Sequence, residues 1–323
     1  MVTILVTGGA GFIGSHFVEH YLREHSDDTV VTLDKLTYAG NLANLFSLQG
    51  NPRHFFYQGD IGDEQLVSDI IRKYEITHIV NFAADTHVDN SIKNPRVFFE
   101  TNVLGTQVLL DAARAANITR FVHISTDEVY GSLLTGEATE ASPLLPNSPY
   151  SASKAGADLL VRSYVQTYKF PAIITRSSNN FGPRQFPEKI IPLFIKRLMA
   201  GEKVPVYGAG TNVRDWLYVE DNCSGIVHVL EKGTLGETYN IGGGNMLTNI
   251  ELTRKLLAHF GLDDSFIDFV TDRPAHDQRY AIDCSKIHKL GWTPRHTFVA
   301  ALTKTIEWYK SHLDWSMSEQ RLA

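Results

Sequence analysis

No apolar run in this chain approaches the ~20 residues that a helix needs to span a bilayer, so membrane insertion is not expected. Cysteine is nearly absent. The two present, Cys223 and Cys284, lie far apart and form neither a C-x-x-C pair nor a metal-ligand cluster, which leaves buried, reduced thiols as the expectation. The thirteen histidines are scattered with no H-E-x-x-H among them, so no metal site is expected. Positive charge is also scarce. A formal net charge of −6 argues against nonspecific nucleic-acid binding, which needs many phosphate-neutralising cations. An anionic ligand must be held by a few local arginines and lysines. Ile4-Leu5-Val6 is broken at once by Gly8-Gly9, without the basic flank and sustained apolar stretch of a secretory signal, and the expected location is the cytoplasm. There is no internal repeat and no low-complexity tract.

What is present is an ordinary enzyme-like balance, 43% hydrophobic and 20% charged, over 323 residues. That length fits one large α/β unit or a main domain with a smaller lobe, and is ample for a well-buried core. The first half alternates. Thr3 to Thr7 reads as a strand, Gly8-Gly9-Ala10-Gly11-Phe12-Ile13-Gly14 as a turn, and Phe17, Tyr21 and Leu22 mark a helix. Strands follow at Thr29 to Leu33, Phe55 to Gln58, His78 to Phe82, Phe121 to Ser125 and Ala172 to Thr175, with helices at Glu64 to Tyr74 and Phe98 to Ala116. This spacing implies right-handed β-α-β units and a doubly wound parallel sheet of the Rossmann type.

The glycines at 8, 11 and 14 follow a strand and open a helix, where close backbone approach and helix N–H groups suit a pyrophosphate. Asp34 stands at the end of the next strand, where a carboxylate accepts both ribose hydroxyls and repels a 2′-phosphate, so NAD is favoured over NADP; the adjacent Lys35 weakens that preference. Small residues in Ala83-Ala84-Asp85-Thr86 suit a flat ring close to the backbone, or simply a tight strand exit.

Two stretches carry chemistry. Ser125-Thr126-Asp127-Glu128-Val129-Tyr130-Gly131 puts a hydroxyl and two carboxylates at a strand end. Tyr150 and Lys154, four residues apart, share one face of a helix, and a neighbouring cation lowers a phenol's pKa. Adjacent carboxyls with opposite tasks need separated pKa values, which a shared low-dielectric site provides. The competing reading of Asp127-Glu128 is a solvated acidic pair at a helix start. From about Phe181 the alternation stops. Gly182-Pro183 and Phe186-Pro187 interrupt it, then Ile190 to Met199 reads as a helix and Val204 to Tyr207 as a strand. The expected division is 1–178 for the dinucleotide domain, with segments near 214–242 returning to it, and 179–323 mainly for a smaller substrate lobe.

The whole set of motifs resembles the dTDP-glucose 4,6-dehydratases of the extended short-chain dehydrogenase/reductase superfamily. The resemblance rests on Ser125 to Gly131, Tyr150 and Lys154, Asp34 to Asn41, Ala83 to Ile92, Ser178 to Pro183, Arg214-Asp215-Trp216-Leu217, Tyr239 to Gly243 and Asp272 to Asp277. It implies oxidation of sugar C4 by NAD, loss of water across C5 and C6, and return of the hydride to C6. In that scheme Tyr150 is the base at the C4 hydroxyl, Thr126 hydrogen-bonds the same oxygen, and Lys154 tunes the phenol and holds the nicotinamide ribose. Glu128 takes the C5 proton, and Asp127, protonated, donates to the departing C6 hydroxyl. A 4-epimerase or decarboxylase of another nucleotide sugar is the alternative.

The resemblance assigns the cofactor to Gly8, Gly11, Phe12, Ile13, Gly14, Asp34, Lys35, Leu36, Thr37, Asp60, Ile61, Phe82, Ala83, Ala84, Thr86, Thr101, Tyr150, Lys154 and Asn179. To the sugar nucleotide it assigns Thr86, His87, Thr126, Asn180, Lys189, Ile190, Pro205, Tyr207, Arg214, Asn249, Asp272, Arg273 and His276. Arg214 suits a pyrophosphate by bidentate contact, a salt bridge to Asp215 or Asp221 being its rival. Gly156, Arg184, Ala275 and Gln278 depart from the usual family residues. The resemblance further implies a homodimer through the helices at Phe98 to Ala116 and Tyr150 to Tyr168. Leu313 to Ala323 reads as a frayed tail.

Overall fold

The computed structural model describes residues 2–272 and 276–312. Arg273, Ala275 and the Leu313 to Ala323 tail lie outside the described residues. Twelve strands are described: β1 Thr3–Thr7, β2 Thr29–Asp34, β3 His54–Gln58, β4 His78–Asn81, β5 Arg120–Thr126, β6 Ala172–Ser177, β7 Asn179–Phe181, β8 Val204–Tyr207, β9 Val213–Tyr218, β10 Thr238–Ile241, β11 Met246–Thr248 and β12 Ile267–Val270. Seven form one parallel sheet in the order β10-β6-β5-β4-β1-β2-β3. The chain runs outward from β1 to β3, then restarts at β4 on the other side of β1. That reversal opens a crevice at the carboxyl ends of β1 and β4.

Both faces of the sheet are covered, which is why its strands are apolar throughout rather than alternating. Ile4 and Val6 point into one core with Phe17 and Ile226 of the helices Phe12–Glu24 and Val219–Lys232. Leu5 and Val31 point into the other, with Ile70, Leu109 and Val161 of the helices Glu64–Lys73, Thr106–Ala115 and Pro149–Tyr168. The long helix anticipated over Phe98 to Ala116 is in fact three segments: an α-turn at Pro95–Phe99, a π-helical stretch at Glu100–Gly105 and the α-helix Thr106–Ala115. At this widened turn the Asn102 amide reaches sideways, exchanging hydrogen bonds with the Asp85 backbone at 2.9 and 3.0 Å and donating to Ser153 Oγ at 2.8 Å. An apolar period of 3.6 gives no sign of such an insertion.

The smaller lobe carries two short sheets. β9 pairs with β7 and β11, and β8 pairs with β12. β10 instead extends the large sheet beside β6. Cys223 is buried and Cys284 half-buried, and both are free thiols.

Candidate active site

The crevice is shaped first by backbone. Gly8 leaves β1 at φ +69°, and a Cβ there would stand 2.6 Å from the Ala83 nitrogen. A Cβ on Gly14 would strike the Gly8 carbonyl. Gly11 caps the helix Phe12–Glu24 without a side-chain bond, which leaves first-turn N–H groups and the positive dipole end for an anion. Asp34 closes β2 beside this turn, accepting from the Ala10 N–H at 2.9 Å and the Leu36 N–H at 2.8 Å. Burial pushes its carboxyl up, and the Leu36, Ala10 and Gly11 amides pull it down. Lys35 is engaged in an ion pair with Asp60 at 2.6 Å, so its charge is already satisfied.

These groups line a cleft of about 300 Å³. All the expected cofactor residues border it except Leu36, whose backbone amide serves Asp34, and Asn179, which sits on β7 with a buried side-chain oxygen lacking a partner among the described residues. The glycine cradle, the open helix end and the strand-end carboxylate together fit a dinucleotide. Sequence reasoning missed several lining residues. Ala39 and Gly40 follow Asp34 closely enough to have been included. Gln185, Phe186 and Glu188 come from the proline-interrupted segment after β7, where no strand-end rule points.

Ser125, Tyr150 and Lys154 line the cleft, and the adjoining Thr126, Asp127 and Glu128 lie next to them, outside its lining. Thr126 ends β5 and caps a single 3₁₀ turn, Asp127–Tyr130, its hydroxyl accepting from the Glu128 N–H at 3.2 Å and donating to Asp127 Oδ1 at 3.2 Å. Asp127 is only 2% exposed, and its second oxygen has no partner among the described residues. Burial, then Glu128 and Asp215, push its carboxyl well above the usual carboxylate range. Glu128 beside it is half-buried.

Tyr150 sits in the first turn of the helix Pro149–Tyr168, whose start is fixed by Pro149 and by the Ser148–Ser151 capping box. Lys154 follows one turn later and donates to the Ile124 carbonyl at 2.6 Å. Burial lowers the ammonium to about 8, against an opposing pull from Asp158. The Tyr150 phenol is pushed up rather than down, by burial and then by Glu128, with the Thr126 hydroxyl pulling the other way. The cation one turn away does not by itself produce an acidic phenol here, because both groups have left water.

Of the remaining expected residues, Lys189 borders the cleft, His87 follows β4, and the others fall between 180 and 276. Lys189 donates to the Thr86 carbonyl at 3.3 Å, and His87 stands 3.6 Å from Glu188. Ile190 opens the helix Ile190–Met199, and Asn180 lies on β7. Pro205 and Tyr207 are on β8, where the Tyr207 ring meets His276 edge-on at 6.2 Å, and His276 pairs with Asp272 at 2.6 Å. Asn249 begins the helix Asn249–His259. Arg214 is buried, with its guanidinium 4.2 Å from the Tyr280 ring centre and donating to the Val213 and Asp277 carbonyls, each at 2.8 Å. The rival salt bridges are not the arrangement found. Asp215 accepts from the Gly243 and Asn245 amides, and Asp221 from those of Arg295 and His296.

Residues 5–305 match the family model described as GDP-mannose 4,6 dehydratase. The low-salt glycan biosynthesis protein Agl12 of Haloferax volcanii is 56% identical over 95% of this chain and 98% of its own. A dTDP-glucose 4,6-dehydratase of Actinoplanes sp. is 51% identical over 97% of this chain and 99% of its own. The crystal structure of a dTDP-glucose 4,6-dehydratase from Streptomyces venezuelae with NAD bound superposes with a TM-score of 0.96 at 50% identity, covering 98% of this chain and 100% of the other. Over nearly its whole length this chain belongs to the dTDP-glucose 4,6-dehydratase family of the extended short-chain dehydrogenase/reductases.

Proposed function

We propose that this chain converts dTDP-glucose to dTDP-4-keto-6-deoxyglucose and water, with NAD as a cofactor that is regenerated in each turnover. One observation carries the reading. Asp127 is buried, raised well above the usual carboxylate range and short of a partner for one oxygen, directly beside the half-buried Glu128. A neutral acid next to a second carboxyl is what expulsion of a C6 hydroxyl demands, and a 4-epimerase has no use for it.

When bound, NAD would take the hydride of sugar C4 and return it at C6, and its cationic ring would add positive charge beside Tyr150. As the phenolate, with its own proton passed to solvent under that added charge, Tyr150 would accept the C4 hydroxyl proton, and Thr126 hydrogen-bonds the same oxygen. A C4 ketone acidifies the C5 proton. Glu128 removes that proton while Asp127 gives its own to the C6 oxygen, so H and OH leave as water and a C5–C6 double bond remains; when hydride is restored at C6, the proton held on Glu128 goes back to C5. Lys154, held on the Ile124 carbonyl, fixes the position of the nicotinamide ribose. Gly8, Gly11 and Gly14 admit the cofactor pyrophosphate, and Asp34 the ribose hydroxyls. Arg214, Lys189, Asn180, Asn249, Tyr207 and the Asp272–His276 pair form the pocket for the nucleotide diphosphate of the substrate.

We assign the dinucleotide unit to residues 1–178 with the β10 region, and the sugar-nucleotide lobe mainly to 179–323. Both small molecules are intracellular metabolites, which favours the cytoplasm. A homodimer is the favoured assembly. The adjacent segments at 95–115 and 149–168 leave Phe99, Leu104, Leu159 and Tyr168 exposed, an apolar surface that a second copy would cover.

The test is incubation with dTDP-glucose deuterated at C4, followed by mass spectrometry. Loss of one water with the label in the new methyl group supports the reading. An unchanged mass with C4 inverted supports an epimerase instead. Glu128→Gln should leave oxidation at C4 intact, so that reduced nicotinamide absorbance builds up, while water loss slows by ~10²-fold or more.

A further inference from the structure

The helix that carries Tyr150 and Lys154 presents a third ionisable side chain on the same stripe. Asp158 lies one turn beyond Lys154 and is 1% exposed. It accepts from Arg176 Nε at 2.8 Å, and His123 Nε2 lies 3.7 Å from its other oxygen. Arg176 comes from β6 and is 6% exposed. A second guanidinium nitrogen donates to the Tyr130 hydroxyl at 2.9 Å, and the group stands 4.9 Å from the centre of that tyrosine's ring. The Tyr130 hydroxyl in turn donates to Asn240 Oδ1 at 2.7 Å.

Tyr130 is the last residue of the 3₁₀ turn that begins at Asp127. A single guanidinium therefore ties the helix bearing Tyr150 and Lys154 to the turn bearing Asp127 and Glu128. Neither Asp158 nor Arg176 borders the cofactor cleft. Both line a separate cavity of about 420 Å³ that shares no residue with the cofactor cleft. A buried ion pair is weak evidence of stability, since packed apolar residues often do as well, so a pair placed here invites a geometric explanation.

We propose that Asp158, Arg176 and Tyr130 are positioning residues that hold the proton-accepting helix and the eliminating turn in register, so that one bound sugar meets both. C4 and the C5–C6 bond are adjacent on a single ring, and a displacement of about 1 Å between the two sets of groups costs up to ~10²-fold in rate. A four-residue turn has little hydrogen bonding of its own to fix it. The clamp supplies that fixing from the face of the sheet on which the helix packs, outside the cofactor cleft. Burial raises the Asp158 carboxyl and the Arg176 charge opposes it, in keeping with a pair that must stay together.

The catalytic consequence rests on the dehydratase reading; the clamp itself does not. With the full chain, Tyr130→Phe removes one hydroxyl and spares the buried charges. We expect kcat to fall roughly tenfold with KM within about twofold, and water loss to slow more than oxidation at C4, because only the turn is released. Arg176→Met should slow both steps, and Arg176→Lys should recover part of the loss. If Tyr130→Phe and Arg176→Met lower the melting temperature but leave kcat and the ratio of the two steps unchanged, the groups are merely structural and the proposal fails. A second measurement needs no substrate. Asp158→Asn should speed hydrogen exchange at the Glu128 and Gly131 amides, whose partners lie within the turn. Unaltered protection there overturns the clamp even if dTDP-glucose is not turned over. Faster exchange in a chain that ignores dTDP-glucose would instead keep the clamp and sink the dehydratase reading.

Discussion

The cofactor cleft and the smaller lobe, proposed to hold the phosphates of cofactor and substrate, are built by opposite means. The cleft is built from backbone: Gly8 at positive φ, Gly14 under the Gly8 carbonyl and the uncapped helix start at Gly11, all within one turn of chain. The lobe is built from side chains brought together across long sequence distances, such as Arg214 on β9 stacked on Tyr280, and Tyr207 on β8 against His276. A backbone site needs only that nothing larger than hydrogen stand in the way. A side-chain site needs each rotamer held by its neighbours. The first should break sharply on adding a methyl group, and the second should weaken residue by residue.

Four substitutions test that contrast, beginning where the two regions meet. Tyr150→Phe removes the proton acceptor and little else, so turnover of dTDP-glucose should fall by ~10²–10⁴-fold while the dinucleotide still binds, as measured by kcat and by cofactor titration. A parent-like kcat would place the base elsewhere.

Asp127→Asn tests the seam by pH. The native carboxyl is raised above its unfolded value, so its contribution to stability is complete below the ordinary carboxylate pKa and is lost as pH rises toward the native one. The asparagine variant lacks that loss. Its stability advantage over the parent should grow by about 1.4 kcal/mol per pH unit through that window, followed by denaturant unfolding. A constant offset across the series would mean that Asp127 is ionised in the folded protein.

Gly8→Ala should cost about 2 kcal/mol of stability and weaken dinucleotide binding, because the methyl group meets both a left-handed backbone and the Ala83 nitrogen. Thermal melts with and without NAD separate the two effects. Arg214→Met is expected to raise the KM for dTDP-glucose by roughly tenfold, the value of one charge-assisted contact, with NAD affinity unchanged. Equal losses for cofactor and substrate would erase the distinction between the regions.

Legibility follows the same divide. The glycine turn, Asp34, the Tyr150–Lys154 stripe and six of the seven strands of the large sheet were readable because each depends on residues near one another in sequence. The seventh strand, β10, enters only after the smaller lobe has intervened; it falls in the 214–242 stretch expected to return, though its place as a strand was not read. The π-helical turn at Glu100–Gly105 was not readable, since its cause is the Asn102 amide reaching Asp85 and Ser153. Nor was the resting state of Tyr150, which burial and Glu128 raise against the expectation drawn from Lys154 alone. Gly156, an oddity in the sequence, packs close to Val103 of the neighbouring π-helical segment, where a Cβ would stand 3.3 Å from that side chain. Arg184 is accounted for by its ion pair with Glu19 at 2.9 Å.

The sequence by itself determined that the chain winds a parallel sheet, that a glycine turn opens at its edge, and which side chains are candidates for acid-base chemistry, because strand periodicity, glycine geometry and intrinsic pKa are local properties. Tertiary structure alone decided that the Asp127 carboxyl is pushed well above the usual carboxylate range, that Arg214 faces carbonyls and an aromatic ring rather than a carboxylate, and that Arg176 bridges the Tyr150 helix and the Asp127 turn. Those outcomes depend on which groups lose water together, and burial is a property of the folded chain, not of any segment within it.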